Sequence, residues 1–253
     1  MTRHSNEQDR GSLIGLAEAG VLARMREVEP QGFDAVVALF GLPGEASGLS
    51  AKTQELVSLA IHASASTLND AGVRRQVERA LKAGAEPVEI VEVLVTIAPL
   101  GVHTFGVAVP LLMEELREQG RDDETVIPPL SPEAAEMKAR FVESRGYWTD
   151  QREMLGGLIP EFFASYMRLS MTPAAIGSLD PLTREFVAIG IDCSITHMFT
   201  SGLRLHIRNA LRLGATREQI LGVFQLAAAL GADSYLAGMR ALLAAQDGSH
   251  VEE

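Results

Sequence analysis

The chain has 253 residues, 47% of them hydrophobic and 22% charged, which is long and apolar enough for one large or two small globular domains. Its formal net charge of −11 argues against a nucleic-acid partner, because an acidic surface repels phosphates. The single cysteine, Cys193, excludes an intrachain disulfide and any two-thiol redox centre within one chain.

The N-terminal stretch and the apolar runs give an expectation about location. The stretch MTRHSNEQDRG is polar and lacks a secretory apolar segment. Apolar runs such as IVEVLVTIAPLGV are interrupted by Glu, Pro and Gly before they reach the length of a membrane span. We therefore expect a cytoplasmic protein without a membrane partner.

An internal duplication organises the sequence. Shifting the chain by 130 positions aligns Pro30–Leu112 with Pro160–Leu242 without a gap. The alignment predicts a tail and helix at 1–29, a first repeat at 30–118, a linker and extra helix at 119–159, a second repeat at 160–247 and a tail at 248–253. Matching positions include Phe33 with Phe163, Thr53 with Thr183, Glu55 with Glu185, Gly72 with Gly202, Arg74 with Arg204 and Gly84 with Gly214.

Helical signals recur at the same places in each repeat. Ser50 and Asp180 are candidate N-caps, and Pro181 suits a first helical turn. Gly72 and Gly202 are expected to interrupt the helical pattern, whereas Gly84 and Gly214 are expected to end a helix. Thr216 and the pair Glu86-Pro87 are candidate starts of the next helix, and SPEAAEMKARFVESR predicts the extra one. The predicted fold is all-α, with two helical repeats packed with pseudo-two-fold symmetry.

A polar cluster lies within an otherwise apolar helical pattern in the second repeat. The stretch IDCSITHMFTSGLRLHIRNAL carries Cys193, His197, His206 and Asp192. Polar groups at core positions lower stability unless they have partners, so the cluster needs either a packing or a chemical explanation.

The motifs around this cluster resemble the carboxymuconolactone decarboxylase family. The resemblance is carried by LDPLTREF, followed by HIRNALRLGATREQILGVF, and it extends over both repeats. The family shares its fold with the AhpD-like alkylhydroperoxidases. The resemblance implies a cofactor-independent lyase or isomerase that performs acid–base chemistry on a small carboxylated lactone or enolisable cyclic substrate, as in the catabolism of aromatic compounds.

In that chemistry, loss of carbon dioxide leaves a dienolate that must be stabilised and protonated. Imidazole suits this work because it titrates near neutral pH, and a neighbouring carboxylate fixes its tautomer. Glu185, His197 and His206 are therefore the predicted catalytic residues, with no cofactor and no metal. The predicted substrate-binding residues are Thr200, Arg204, Cys193 and Tyr235.

Two other functions stay open. AhpD-like members carry a CxxC pair, but here His197 and Thr200 stand where the thiols would be, so an AhpD-like oxidoreductase would have to borrow thiols from another chain. Cys193 is either a small packed residue or a nucleophile. The remaining alternative is a non-catalytic helical assembly module.

An asymmetry between the repeats adds His103 to the predicted catalytic residues. The first repeat has Thr67 and Gln76 at the positions of His197 and His206, yet it has His103 where the second repeat has Asp233. One interpretation is a composite pocket that uses imidazoles from both repeats. The other is that His103 caps a helix or satisfies a core carbonyl.

Several residues admit both a structural and a chemical interpretation. Glu55 and Glu185 are either catalytic or helix-capping carboxylates in a first turn. Tyr235 and its counterpart Phe105 line either a pocket or the core. Asp192 either orients a histidine or is solvated, and His62 is expected to be structural. Arg204, like Arg74 and Arg208, either binds a substrate carboxylate or is a solvated helix residue.

The sequence also bears on metal binding and on assembly. Three histidines and a carboxylate would suit zinc or iron, but the spacing of His197 and His206 matches no compact ligand motif. The resemblance implies rings of repeated copies, so we expect a homo-oligomer, specifically a trimer of tandem chains.

Overall fold

The computed structural model describes residues 19–40 and 47–248, and throughout these ranges the regular elements are helices, without a strand. The predicted all-α class and the tandem helical repeats are confirmed. Short 3₁₀ helices span Ala98–Val102 and Asp122–Thr125. The α-helices are α1 (Ala19–Val28), α2 (Pro30–Phe40), α3 (Ala51–Ala63), α4 (Asp70–Lys82), α5 (Pro87–Ile97), α6 (His103–Glu118), α7 (Pro132–Arg145), α8 (Asp150–Leu158), α9 (Pro160–Ile176), α10 (Pro181–Asp192), α11 (Thr200–Arg212), α12 (Arg217–Ala228) and α13 (Gly231–Gln246).

The chain forms two compact units, and each contains helices from both repeats. The first unit extends to Val93 and resumes at Leu179, and the second is Leu94–Ser178. In the first unit, α1 and α2 of the N-terminal half share a core with α13, formed by Leu22, Met25, Phe33, Leu236 and Leu243. Because the units follow packing rather than sequence order, the repeat boundaries at 30–118 and 160–247 remain a prediction.

The predicted helix caps are confirmed. Ser50 and Asp180 accept the backbone N–H of Thr53 and Thr183 at 3.1 and 2.9 Å, so each satisfies a donor that the helix itself leaves free. Thr216 forms a capping box with Gln219 at the start of α12. Ser131 caps the extra helix, α7, in the same way.

The helix ends are also confirmed, but the prediction for Gly72 and Gly202 is wrong. Gly84 and Gly214 follow α4 and α11 with φ of 88° and 92°, a conformation that favours glycine. Gly72 and Gly202, however, lie inside the first turn of α4 and α11 instead of interrupting a helix. Glycine is required there by packing, because a Cβ would lie 2.2 Å from the His62 ring and 2.3 Å from the Asp192 carboxyl, respectively.

The central contact of the first unit pairs equivalent helices, α3 and α10. Gly190 permits a close approach, since a Cβ there would lie 2.8 Å from Val57. The turns that follow the two helices also meet, because the hydroxyls of Thr67 and Thr196 are 2.8 Å apart. This contact brings the chemistry-bearing ends of both repeats into one unit.

A buried ion pair shows how the repeats have diverged. Glu92 is completely buried, pairs with Arg184, and accepts the Leu179 N–H at 2.9 Å. The counterpart of Glu92 is Gly222, and a Cβ there would lie 2.3 Å from Ser47. The hydroxyl of Ser47 accepts the N–H of Leu49, the counterpart of Leu179, at 3.3 Å. Different side chains thus satisfy the same backbone donor.

The second unit has a separate aromatic core. Phe141 and Phe163 are among its largest fully buried side chains, with Leu155 and Met167 beside them. Leu155 lies on α8, a second helix in the segment 119–159, where the sequence predicts a linker and one extra helix. Thr149 caps this helix by accepting the Arg152 N–H at 3.3 Å. The Arg152 guanidinium also lies 4.5 Å from the Phe141 ring centroid.

Two helical stretches, Pro87–Glu118 and Arg217–Gln246, are long and apolar enough to cross a membrane by length and composition. This differs from the expectation that Pro and Gly would interrupt them, because short helices follow one another there without a loop. The criterion is weak evidence for a membrane span, since core helices of soluble proteins also meet it. Residues 1–18 and 249–253, which belong to the predicted terminal segments 1–29 and 248–253 and include His4 and His250, lie outside the described residues.

Candidate functional site

Glu185 and His206 form a hydrogen-bonded pair between α10 and α11. His206 Nδ1 lies 2.7 Å from Glu185 Oε2, and the side chains are 24% and 12% exposed. A carboxylate accepts, so Nδ1 carries the proton and Nε2 is left for a substrate. Asn209, one turn further along α11, lies 3.4 Å from the other carboxylate oxygen. A neutral amide leaves the charge of Glu185 available to the imidazole.

The equivalent glutamate in the first repeat has a different partner. Both oxygens of Glu55 bind Arg79, at 2.8 and 2.7 Å, in a bidentate ion pair. Gln76 occupies the histidine position, and its side-chain oxygen is buried without a hydrogen-bond partner in the part of the chain that the structure describes. The first repeat therefore neutralises its glutamate, whereas the second repeat couples its glutamate to an imidazole.

The capping interpretation of these glutamates is wrong. Glu55 is the fifth residue of α3 and Glu185 is the fifth residue of α10, and neither helix has an acidic residue in its first turn. Both carboxylates instead bind side chains from the following helix, so the duplication preserves a tertiary contact.

A tight turn after α10 positions His197. The N–H groups of His197 and Met198 both donate to the Ser194 carbonyl at 2.9 Å, and the Phe199 N–H donates to the Asp192 carbonyl at 2.9 Å. Met198 takes a left-handed conformation with φ of 47°. These contacts fix the backbone at residue 197 independently of its side chain. Burial holds the pKa of His197 below its ordinary value, so the neutral imidazole is favoured.

The same turn follows α3 in the first repeat. Thr67 and Leu68 donate to the Ser64 carbonyl, and Asn69 donates to the His62 carbonyl at 3.0 Å. Leu68 also has a positive φ, 38°. The turn is thus part of the duplicated framework, and the two repeats differ there in carrying Thr67 or His197.

Asp192, the last residue of α10, has the most strongly shifted pKa among the carboxylic acids near His197 and His206. It is 3% exposed, and its Oδ2 has no hydrogen-bond partner among residues 19–40 and 47–248. Its Oδ1 lies 3.9 Å from His197 Nε2. Burial raises the pKa of Asp192 to about 7, although the positive charge of His206 acts in the opposite direction. The protonated acid is therefore populated near neutral pH.

The counterpart of Asp192 is His62, which belongs to a hydrogen-bond network around Asp233. His62 Nε2 lies 2.7 Å from Asp233 Oδ2, and Nδ1 lies 2.6 Å from the Ser58 carbonyl. Asn69 and Arg75 also donate to Asp233, at 2.8 and 2.7 Å. Burial raises the pKa of Asp233, but His62 and Arg75 outweigh it and hold the pKa below its ordinary value. Both ring nitrogens of His62 therefore have an oxygen partner within the protein.

Cys193 is in a poor environment for thiol chemistry. Burial, followed by the nearby Asp192, raises its pKa to about 12. Its Sγ lies 3.6 Å from the Gly190 carbonyl. The reactive species of a cysteine is the thiolate, which is scarce at neutral pH when the pKa is this high.

The other predicted residues lie in several places. Thr200 is the exposed first residue of α11, and Arg204 is exposed on the same helix. Tyr235 packs against the core formed by α1, α2 and α13, and Phe105 packs in the core of the second unit. His103, half-buried, begins α6 in the second unit. Its place in the catalytic group stays a prediction.

Two residues were undervalued by the sequence reading. From the sequence, Asp192 either orients a histidine or is solvated, and no pattern there singles out Asn209. Comparing residues 130 positions apart could have identified both. His62 aligns with Asp192 and Arg79 with Asn209, so the charge changes between the repeats at buried or half-buried positions. A charge change at such a position alters what its neighbours can do.

The sequence profile of the carboxymuconolactone decarboxylase family matches residues 30–108 and 160–247, once in each repeat. The chain belongs to the carboxymuconolactone decarboxylase family. In this family member the two matches include α10 and α11, with the Glu185–His206 pair, and also their counterparts α3 and α4. The helices α7 and α8 lie between the two matched segments.

A solved structure resembles this carboxymuconolactone decarboxylase family member over nearly its whole length. It is the crystal structure of a provisionally named gamma-carboxymuconolactone decarboxylase subunit from Burkholderia xenovorans LB400. The two chains are 36% identical, with a TM-score of 0.85, over 96% of this chain and 97% of that one. Comparison with curated proteins gives no match.

Proposed function

We propose that this protein is a cofactor-independent decarboxylase or isomerase that uses the Glu185–His206 pair on a small carboxylated lactone or a related enolisable cyclic substrate. The observation that carries the proposal is the 2.7 Å hydrogen bond between Glu185 and His206, set against the Glu55–Arg79 ion pair in the first repeat. Family membership supports a decarboxylase-like enzyme, and the name of the Burkholderia protein suggests gamma-carboxymuconolactone as the first substrate to assay.

The proposed chemistry needs proton transfer at one carbon. Cleavage of the bond to the carboxylate releases carbon dioxide, and its electron pair enters a dienolate conjugated with the lactone carbonyl. His206 Nε2 faces the substrate, while Glu185 fixes the tautomer and stabilises the imidazolium. His206, once protonated at Nε2, donates that proton to the dienolate carbon, and solvent ultimately replaces it, so the reaction is completed without net oxidation or reduction.

The thiol-dependent alternative has weak support. Peroxide reduction requires a thiolate and a resolving thiol, and the sequence supplies only Cys193, whose pKa is raised to about 12. Turnover of peroxide that depends on Cys193 and an external dithiol would favour the AhpD-like function. If the variants His197→Ala and His206→Ala keep every activity and ligand affinity of the wild type, a non-catalytic assembly module would be favoured.

The direct test compares equivalent glutamates. Glu185→Gln removes the carboxylate that orients His206, and we expect kcat for lactone decarboxylation to fall about 100-fold or more. Glu55→Gln is the matched control: it disrupts the ion pair with Arg79 and lowers stability, yet turnover by the folded protein is retained. Equal activity of the two variants would contradict the proposal.

We propose supporting roles for the remaining predicted site residues. His103 is proposed as a further imidazole for the reaction, on the strength of the reciprocal differences between the repeats. Arg204 and Thr200 are proposed substrate contacts, because both lie exposed on the helix that carries His206. The support for Cys193 and Tyr235 is weaker, because both pack against protein groups. Single substitutions at 103 and 204 should change kcat or KM without unfolding the chain.

We also propose a cytoplasmic homo-oligomer, a trimer of tandem chains that needs no bound metal or cofactor. Exposed apolar side chains on α6, at Val107, Leu111 and Leu112, support self-association. Light scattering coupled to chromatography should give three times the 27.2 kDa chain mass. A 27.2 kDa particle would contradict the assembly, and elemental analysis would test the absence of metal.

A further inference from the structure

Asp192 is a buried acid that the proposed reaction does not yet use. It ends α10, where the helix dipole is negative and disfavours a carboxylate. Its side chain is 4% exposed, and no hydrogen-bond partner is present for Oδ2 within the described chain. Gly202 of α11 leaves room for this oxygen, since a Cβ would approach it to 2.3 Å. The first turn of α11 thus leaves room for a buried acid with one unpaired oxygen.

Within the first unit, the ionisable groups around Asp192 lie in the turn after α10 and on α11. His197, in the turn after α10, has its Nε2 at 3.9 Å from Asp192 Oδ1, beyond a hydrogen bond but close enough to form one after a small movement. His206 of α11 acts on the carboxyl through its positive charge. Cys193 is the adjacent residue, and α3 packs nearby through the uncharged Val57 and Ile61 at Gly190.

A structural role predicts a different arrangement. The buried carboxylate of the first-repeat network, Asp233, receives hydrogen bonds from His62, Asn69 and Arg75. Buried acids that stabilise a fold are paired in this way, because an unpaired buried charge is costly. Asp192 is more deeply buried, with 4% side-chain exposure against 12% for Asp233, yet one of its oxygens has no hydrogen-bond partner among the described residues, which indicates an acid that carries a proton.

We propose that Asp192 is a positioning residue that holds a proton and passes it through His197 to the site where the product is protonated. This inference rests on the proposed function, because it names the source of the proton that the dienolate receives. On substrate binding, the 3.9 Å separation closes, His197 Nε2 accepts the proton of Asp192, and the opposite ring nitrogen, Nδ1, releases its own toward the site. Solvent then reprotonates the pair.

The proposal gives a sign for the pH dependence. Burial raises the pKa of Asp192 to about 7, so the acid is protonated below that pH and ionised above it. A proton source is lost on ionisation. The rate of decarboxylation should therefore decline as the pH rises through about 7, while burial keeps His197 neutral and able to accept a proton.

The test uses Asp192→Asn, which keeps the shape and removes the proton. We expect kcat to fall about tenfold or more, the decline above pH 7 to disappear and KM to change little. His197→Thr, which copies the residue at 67, should give a similar loss, and the double variant should lose little more because both act in one path. Asp233→Asn is the matched control and should retain the wild-type pH profile.

A second measurement needs no substrate. The carboxylic-acid infrared band of Asp192, identified as the difference between wild type and Asp192→Asn, should be present at pH 5 and lost by about pH 9. An Asp192→Asn variant with wild-type kcat and pH profile would overturn the proposal, as would an Asp192 that is already ionised at pH 5. A stoichiometric metal that is lost in Asp192→Asn would also overturn it.

The outcomes separate this inference from the proposed function. If wild type fails to decarboxylate the lactone, the proposed function fails, and the infrared titration still decides whether Asp192 stores a proton. If Glu185→Gln is inactive while Asp192→Asn is unchanged in rate and pH profile, only the proton-storage proposal fails.

Discussion

Substituting Asp192 by Asn should stabilise the protein at alkaline pH. Burial raises the pKa of the side chain from 3.8 to about 7, so the folded state holds a proton that the unfolded state has released between these values. Stability of the wild type therefore falls as the pH rises from about 4 to about 7. The rise in pKa corresponds to about 4 kcal/mol at pH 8, an upper limit because water can relax around a buried charge.

Urea unfolding at pH 5 and pH 8 measures this effect. The gain in unfolding free energy from Asp192→Asn should be larger at pH 8 than at pH 5 by several kcal/mol. Asp233→Asn should instead lower the unfolding free energy at both pH values, because the pKa of Asp233 lies below its ordinary value of 3.8, and removing the carboxylate leaves His62 and Arg75 without this partner. A difference between wild type and Asp192→Asn that is independent of pH would refute the reasoning.

Three further predictions concern packing and the thiol. Glu92→Ala should destabilise the fold by about 3–5 kcal/mol in urea unfolding, since it leaves Arg184 without its buried partner; a loss below about 1 kcal/mol would show that water already screens the pair. Gly202→Ala should lower stability by about 1–3 kcal/mol because its Cβ meets the carboxyl of α10, whereas Gly238→Ala, with open space around it, should be neutral or stabilising. Cys193 should resist iodoacetamide in the native protein at pH 8 and react after unfolding, as its raised pKa implies; rapid native labelling would contradict that environment.

Local and repeated signals allowed much of the fold to be predicted. Ser50, Asp180 and Thr216 were recognisable as caps because the donors they satisfy lie within three residues of them in the chain. The helix α8 was missed because it is short and contains two glycines, although Thr149 gave a start signal. Gly202 was misjudged because its reason is a tertiary contact with Asp192.

The site was only partly predictable, because its character also depends on contacts between residues that are distant in the sequence. Glu185, His197 and His206 stood out as residue types suited to proton transfer, and the structure pairs two of them directly. The character of Asp192 depends on burial and on an oxygen without a partner, and neither is visible in a linear pattern. The contrast between Glu185 and Glu55 required the positions of Asn209 and Arg79 in space.

The central claim is that the imidazole of His206, oriented by Glu185, performs the proton chemistry. The most direct measurement is kcat for lactone decarboxylation by His206→Gln, with folding checked by circular dichroism. Glutamine is the residue at the equivalent position 76, so the duplicated framework already accommodates it. The account predicts a loss of about 100-fold or more. Wild-type turnover in this variant would contradict it.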